Sequence, residues 1–187
     1  SENGTFADCP GWLDNRGAEI NIANAANIKA ALAVAREVRV VVLINFFTLK
    51  ADRGRGLRDM LDICAKLFGS DGGLEGHKAP VLVGISQCDC GKHSLKQIQT
   101  WMVKDMPPIM QSLQERLFLF DPMDRGAAES GFWSRRQCAE AVRGLQPIPN
   151  PDRIFRTVLT DADEIALITI TNALQADVTR LLEQQHC

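Results

Sequence analysis

A mainly parallel α/β fold is what this sequence predicts, on three observations. Four short apolar runs alternate with longer segments in which apolar residues recur every three to four positions. The run from Arg39 to Phe47 is apolar at odd and even positions alike, as in a strand covered on both faces. Its 187 residues suffice for one domain with a sizeable core and are too few for two full ones. The expectation is a sheet of about four strands flanked by helices.

Four strands are predicted: Gly4 to Asp8, Arg39 to Phe47, Pro80 to Ser86 and Leu117 to Asp121. Between the first two, Ile22, Ala25, Ile28, Leu32, Ala35 and Val38 lie on one helical face, with Asn21 or Asn24 as the cap. After the second strand the helical period returns at Leu57, Met60, Leu61, Cys64, Leu67 and Phe68, and Gly69 is the stop. Ser70 to Lys78, with three more glycines, reads as a loop. Leu95, Ile98, Trp101, Met102 and Met106 mark the next helix, broken by Pro107-Pro108 before a short helical piece ending near Arg116.

Met123 to Trp133 reads as a loop and Ser134 to Leu145 as a helix. Pro147, Pro149 and Pro151, spaced by two, define a stiff connector that cannot be helix interior. A last helix starts near Thr160 or Asp161, where Asp161 and Glu164 resemble a capping box, and carries Leu167, Ile170, Leu174, Val178 and Leu181 or Leu182 on one side. The expected organisation is a domain over 1–146, a Pro-rich connector over 147–159, and a C-terminal helix over 160–187 that packs on the domain or on a partner.

Twenty-one Lys and Arg stand against 23 Asp and Glu with no basic block, so the chain has no electrostatic footprint for nucleic acid or an anionic membrane. No apolar run approaches the roughly 20 residues a membrane span needs. Six Cys, mostly inside helix-like or strand-like stretches, do not read as a secreted disulfide framework, and a reducing, cytoplasmic compartment is expected. The N-terminus Ser1-Glu2-Asn3-Gly4 has neither an initiator Met nor a signal-peptide pattern, and reads as a start inside a larger protein.

The strongest local pattern is Asp8-Cys9-Pro10-Gly11, a D-x-P-G sequence at the end of the first predicted strand. An acidic residue there can hold a hydrated Mg²⁺, and a glycine three residues on lets a backbone N–H approach a phosphate; the same four residues also suit an ordinary turn. The third predicted strand ends in Ser86-Gln87-Cys88-Asp89, placing a carboxylate where it can accept two N–H bonds from a guanine edge.

Together these motifs, with the order of helices and strands between them, resemble the P-loop GTPases of the septin-like and AIG1-type branch over roughly Thr5 to Asp121. The resemblance implies a P-loop-GTPase-like α/β domain. Asp8 would contact Mg²⁺ through water, Gly11 would sense the γ-phosphate, and Trp12 to Gly17 would be a mobile switch. Asp89 would read guanine. Ser86 stands where the family has Asn or Thr, and Gln87 replaces the Lys whose stem covers the base. Asp121 and Pro122 fall where the family's last base-contacting loop begins.

The G-x-x-x-x-G-K-[ST] loop that grips the β- and γ-phosphates is absent from the sequence. In the family that loop and its strand precede D-x-P-G, so the resemblance implies an N-terminally truncated domain. Such a chain would be unable to hydrolyse GTP itself, and would bind Mg²⁺ and GTP or GDP only if a larger protein supplies the loop. The family's phosphate-loop strand also lies beside the second predicted strand, so that strand is expected to pair with the first or to recruit a partner's.

The alternative is a pseudo-GTPase protein-interaction module without nucleotide chemistry. A homodimer through the nucleotide face is what the family implies, and the last helix is an equal candidate for a contact surface. A third reading uses sulfur: Cys88, Cys90 and His93 form C-x-C-x-x-H, and Cys9 at the same predicted sheet edge would complete four soft ligands for a structural Zn²⁺, against ordinary loop cysteines.

Overall fold

The computed structural model describes residues 5–9, 17–51, 55–69, 73–89, 91–105, 113–123, 125 and 130–185. They divide into two compact units, Ala33–Arg156 and the pair of terminal segments Ser1–Leu32 with Thr157–Cys187.

The larger unit is α/β. After β1 (Glu37–Val38) come β2 (Val40–Asn45), α2 (Phe46–Lys50), α3 (Arg55–Leu67), α4 (Gly73–Gly76), β3 (Val81–Ser86) and α5 (Leu95–Asp105). A short 3₁₀ turn then leads into β4 (Leu117–Phe120), followed by β5 (Phe132–Trp133), α6 (Arg135–Gly144), β6 (Ile148–Pro149) and α7 (Pro151–Ile154). β2, β3, β4 and β5 form one parallel sheet in that order, and β1 pairs antiparallel with β6.

The sheet follows from the pattern of its strands. With Val40 opposite Val81 and Val83 opposite Leu117, residues Val42, Ile44, Val81, Val83, Ile85, Leu117, Leu119 and Phe132 share one face. None of them is more than 7% exposed. The crossover helices α3 and α5 add Leu57, Leu61, Cys64, Ile98 and Met102 to the core. On the other face Leu82 and Phe118 pack with Leu145, and around them lie Val41, Phe120, Trp133 and, from α6, Cys138, Ala141 and Val142.

The helical period of α3 is as predicted, and Gly69 ends it at φ +64° with its N–H on the Lys66 carbonyl. α6 is capped by Ser134, whose hydroxyl accepts from the Gln137 N–H while the Gln137 side chain accepts from the Ser134 N–H. β2 stops at Asn45 rather than Phe47 because the Asn45 carboxamide accepts the Phe47 N–H at 2.8 Å and caps α2. Pro151 opens α7 at its first turn, where a missing N–H costs nothing.

Several expectations need correction. The first predicted strand does not form: Thr5 to Cys9 are irregular and exposed, with Phe6 at 70%, and pair with no described strand. One aromatic in five residues, itself mostly exposed, gives too little burial to offset ordering the segment. The loop predicted over Ser70 to Lys78 contains α4, which buries Leu74. The loop predicted up to Trp133 ends in β5, where Leu119 and Asp121 donate to the Gly131 and Trp133 carbonyls. Met106, Pro107 and Pro108 lie outside the described residues.

In the terminal unit, α1 spans Ala18–Val34 and α8 spans Asp161–Gln185. α1 begins before Asn21 and Asn24, so neither caps it; the Asn21 amide instead donates to Asp163 Oδ1 at 3.2 Å. Ala35 and Val38, predicted on this helix, lie beyond its end. α8 is capped by Thr160 and Asp163, not Asp161 and Glu164: the Asp163 N–H donates to Thr160 Oγ1, and the Thr160 N–H and hydroxyl donate to Asp163 Oδ2 at 3.0 and 2.7 Å. Two carboxylates were equally spaced in sequence, and contact with Asn21 selects the buried one.

Burial opposes ionisation of Asp163, but these hydrogen bonds outweigh it and hold the carboxyl below its ordinary value. A depressed folded value stabilises the cap above the ordinary aspartate pKa, and the contribution is lost as pH falls through the folded value. Asp163→Ala should therefore destabilise the start of α8 by about 1 kcal/mol at neutral pH. Amide exchange at Glu164 should show that difference at pH 7 and little of it once wild-type Asp163 is protonated in strong acid.

The apolar stripe of α8 is exposed: Leu167 and Ile170 at 39%, and Leu174, Val178, Leu181 and Leu182 at 54–60%. Among the described residues no helix is long and apolar enough to cross a membrane.

Candidate functional site

Parallel strands gather their carboxyl ends along one edge, and several polar groups of the larger unit lie there. Asn45 ends β2, Ser86 ends β3 and leads into Gln87 and Asp89, and Asp121 follows β4. Ser86 Oγ donates to the Ile44 carbonyl at 3.3 Å, tying the ends of β2 and β3 together. Asn45 Nδ2 donates to Gln87 Oε1 at 2.8 Å, and Gln87 sits at φ +58°, a left-handed conformation that L side chains adopt at a cost of ~1–2 kcal/mol.

Asp89 is exposed and closes a turn. Its Oδ1 accepts the Gly91 N–H at 2.9 Å and its Oδ2 pairs with Lys92 Nζ at 3.0 Å. The Lys92 ammonium and the Gly91 N–H hold this carboxyl below its usual range, so it is ionised at neutral pH. An ionised carboxylate offers about four lone-pair positions, so each oxygen keeps capacity for a further donor.

Behind this turn His93 packs on Phe46, 4.7 Å between ring centroids, and edge-on to Trp101 at 5.5 Å. Lys50 Nζ lies 5.2 Å from the Phe46 ring and 5.3 Å from that of Trp101. Asp121 is 3% exposed and accepts the Met123 N–H at 3.2 Å and Arg125 Nε at 3.4 Å, which matches a buried carboxylate with a cation.

Of the residues singled out in the sequence, this edge brings together Ser86, Asp89, His93 and the buried Cys88. Asp8 and Cys9 belong to the exposed irregular segment of the terminal unit, not to a strand end. Gly11 and Cys90 lie outside the described residues, as does the predicted switch except for Gly17. Among the described residues no group of three or more His, Cys, Asp or Glu is placed to hold a metal ion. Cys64 is a core thiol that burial pushes up to about 12, and burial also raises Cys138.

The chain reading missed Asn45, Lys50 and Trp101. Asn45 carried a signal, since an Asn between a strand-like run and Phe-Phe-Thr-Leu-Lys is a helix N-cap. Trp101 carried none, because its helical spacing is that of a core residue, yet it is 41% exposed. The sheet order follows chain order throughout, so no reversal of strand order among the described strands opens a crevice of the doubly wound kind. No family model, curated protein or solved structure is significantly similar to the chain.

Proposed function

We propose that the carboxyl edge of the sheet is the base-reading corner of a GTPase-like, guanine-nucleotide-binding domain. One observation carries this reading: Asp89 stands just beyond the end of a buried parallel strand, exposed, ionised and with acceptor capacity on both oxygens. Two parallel N–H donors on a guanine edge are the complement of such a carboxylate. Ser86 and Asn45, bridging β2 to β3 and to Gln87, fix the turn from which Asp89 projects.

The phosphate side is a different matter. The sequence has no G-x-x-x-x-G-K-[ST] to hold phosphates, and Asp8 is exposed and in none of the described groups of metal-ligating residues, so no Mg²⁺ or phosphate contact is assigned to the described residues. Binding by these residues is therefore confined to the base and is weak, and hydrolysis is not assigned to them. Titration with GDP and with ADP, followed by amide chemical shifts, tests the reading. GDP should perturb Ser86, Asp89 and Gly91 more strongly than ADP does, and Asp89→Ala should weaken GDP about tenfold, the scale of one lost charge-assisted contact. Equal responses to both nucleotides, or none, would sink it.

A second reading, an interaction module without nucleotide chemistry, is favoured by the exposed apolar stripe of α8.

A further inference from the structure

The two edges of the parallel sheet are unlike. β5 is two residues long, too short to template another strand, whereas β2 is six residues of Val-Val-Val-Leu-Ile-Asn. Natural sheets blunt a long edge with a charge, a proline or a bulge, and β2 has no charged residue and no proline.

The hydrogen-bond geometry defines what that edge offers. Val40 N–H donates to the Pro80 carbonyl at 3.0 Å, so in a parallel ladder the even-numbered residues Val40, Val42 and Ile44 point their N–H and C=O groups at β3. The groups of Val41 and Leu43 therefore point away from β3, and β2 pairs with no other described strand. The side chains carry the same sign: Val42 and Ile44 are buried, but Leu43 is 54% exposed, a large apolar residue uncovered in the middle of the strand.

From this free edge we infer that the chain self-associates through β2, two copies pairing antiparallel about a twofold axis at Val42. Parity places the axis. Val41 of one copy and Leu43 of the other become a pair that exchanges two N–H···O=C bonds, and the symmetric pair does the same, giving one eight-stranded sheet. Each exposed Leu43 is then laid against Val41 of the second copy. Nothing opposes the pairing electrostatically: the nearest ionisable residue, Arg39, comes opposite uncharged Asn45. Its guanidinium is already engaged by Glu37 at 3.0 Å and by the Leu145 carbonyl at 2.9 Å. A second copy thus fits the edge with like apolar residues adjoining and no charge buried. The inference is independent of the nucleotide reading.

Sedimentation equilibrium from micromolar to hundreds of micromolar tests it, together with amide exchange at low and high concentration. Wild type should pass from monomer to dimer, and the Val41 and Leu43 amides should gain protection with concentration. Leu43→Lys puts a charge on the edge, and Leu43→Pro removes an N–H that the β2–β3 ladder does not use. Each should raise the dissociation constant at least tenfold, with the exchange protection of β3 amides confirming that the sheet is intact. Leu43→Lys is the check if the proline variant fails to fold. A wild type that stays monomeric over the range, or a dimer that persists in Leu43→Lys, would overturn the inference.

Discussion

Phe118→Ala should cost about 3–5 kcal/mol in urea denaturation, the range for removing a fully buried aromatic side chain. Phe118 is 0% exposed, stacks on Trp133 with 4.6 Å between ring centroids and 11° between planes, and joins β4 to α6 through their common cluster. Its place on the sheet exists because Gly84, opposite it on β3, has no side chain. A Cβ on Gly84 would lie 2.6 Å from Phe118 Cζ and 2.8 Å from Leu43 Cδ2. Gly84→Ala should therefore destabilise by about 1–3 kcal/mol through overpacking, although alanine is the better residue for an ordinary chain segment.

The two substitutions touch the same volume and should not add. Gly84→Ala in the Phe118→Ala background should cost less than in wild type, with a coupling of about 0.5–3 kcal/mol. An additive pair, measured with an unchanged denaturant slope, would show that Gly84 does not make room for Phe118.

Gly131→Ala should destabilise by about 2–5 kcal/mol, for two reasons that can be separated. Gly131 sits at φ +84°, a conformation that costs an L residue about 1–2 kcal/mol. An added Cβ would also overlap the Leu95 Cβ and lie 2.8 Å from Leu95 Cδ2 at the start of α5. Gly131 offers its carbonyl to the Leu119 N–H at 2.9 Å, so a shift of backbone to relieve the overlap would pull β5 away from β4. Leu95→Gly, which removes the overlapped Cβ as well as Cδ2, should recover the packing share in the double variant, measured against the Leu95→Gly background, and leave the conformational share. Full recovery would mean the positive φ is not costly; no recovery would mean the neighbour is not Leu95.

Both glycines show where chain reading stops. Gly131 was legible only as part of a loop, because its restriction comes from Leu95, 36 positions away. The helices were more accessible: the period of Leu57, Leu61, Cys64 and Leu67 together with the Gly69 stop defines α3, since those positions share a face whatever that face meets. β3 and β4 were legible as apolar runs for the same reason. The segment at Thr5 to Cys9 has a strand-like composition but forms no strand, because a strand exists only where another strand supplies its hydrogen bonds.

For the candidate site, Ser86 and Asp89 were legible as a short motif after an apolar run. That Lys92 and Gly91 engage Asp89, and that Asn45 holds Gln87, depends on side-chain placement along the strand ends. Asp121 marked the end of a strand, but its burial beside Arg125 could be known only once β5 closed against β4.

The sequence by itself determined the α/β class, the periodic face of α3, the stop at Gly69, and the absence of a phosphate-gripping loop, because each is set by residues within a few positions of one another. Only the tertiary structure decided which runs pair, that Asp163 rather than Glu164 completes the α8 cap, and that β2 pairs with no described strand besides β3. Those outcomes rest on contacts between residues far apart in the chain, where a hydrogen bond or a packed ring forms only if both partners reach the same place.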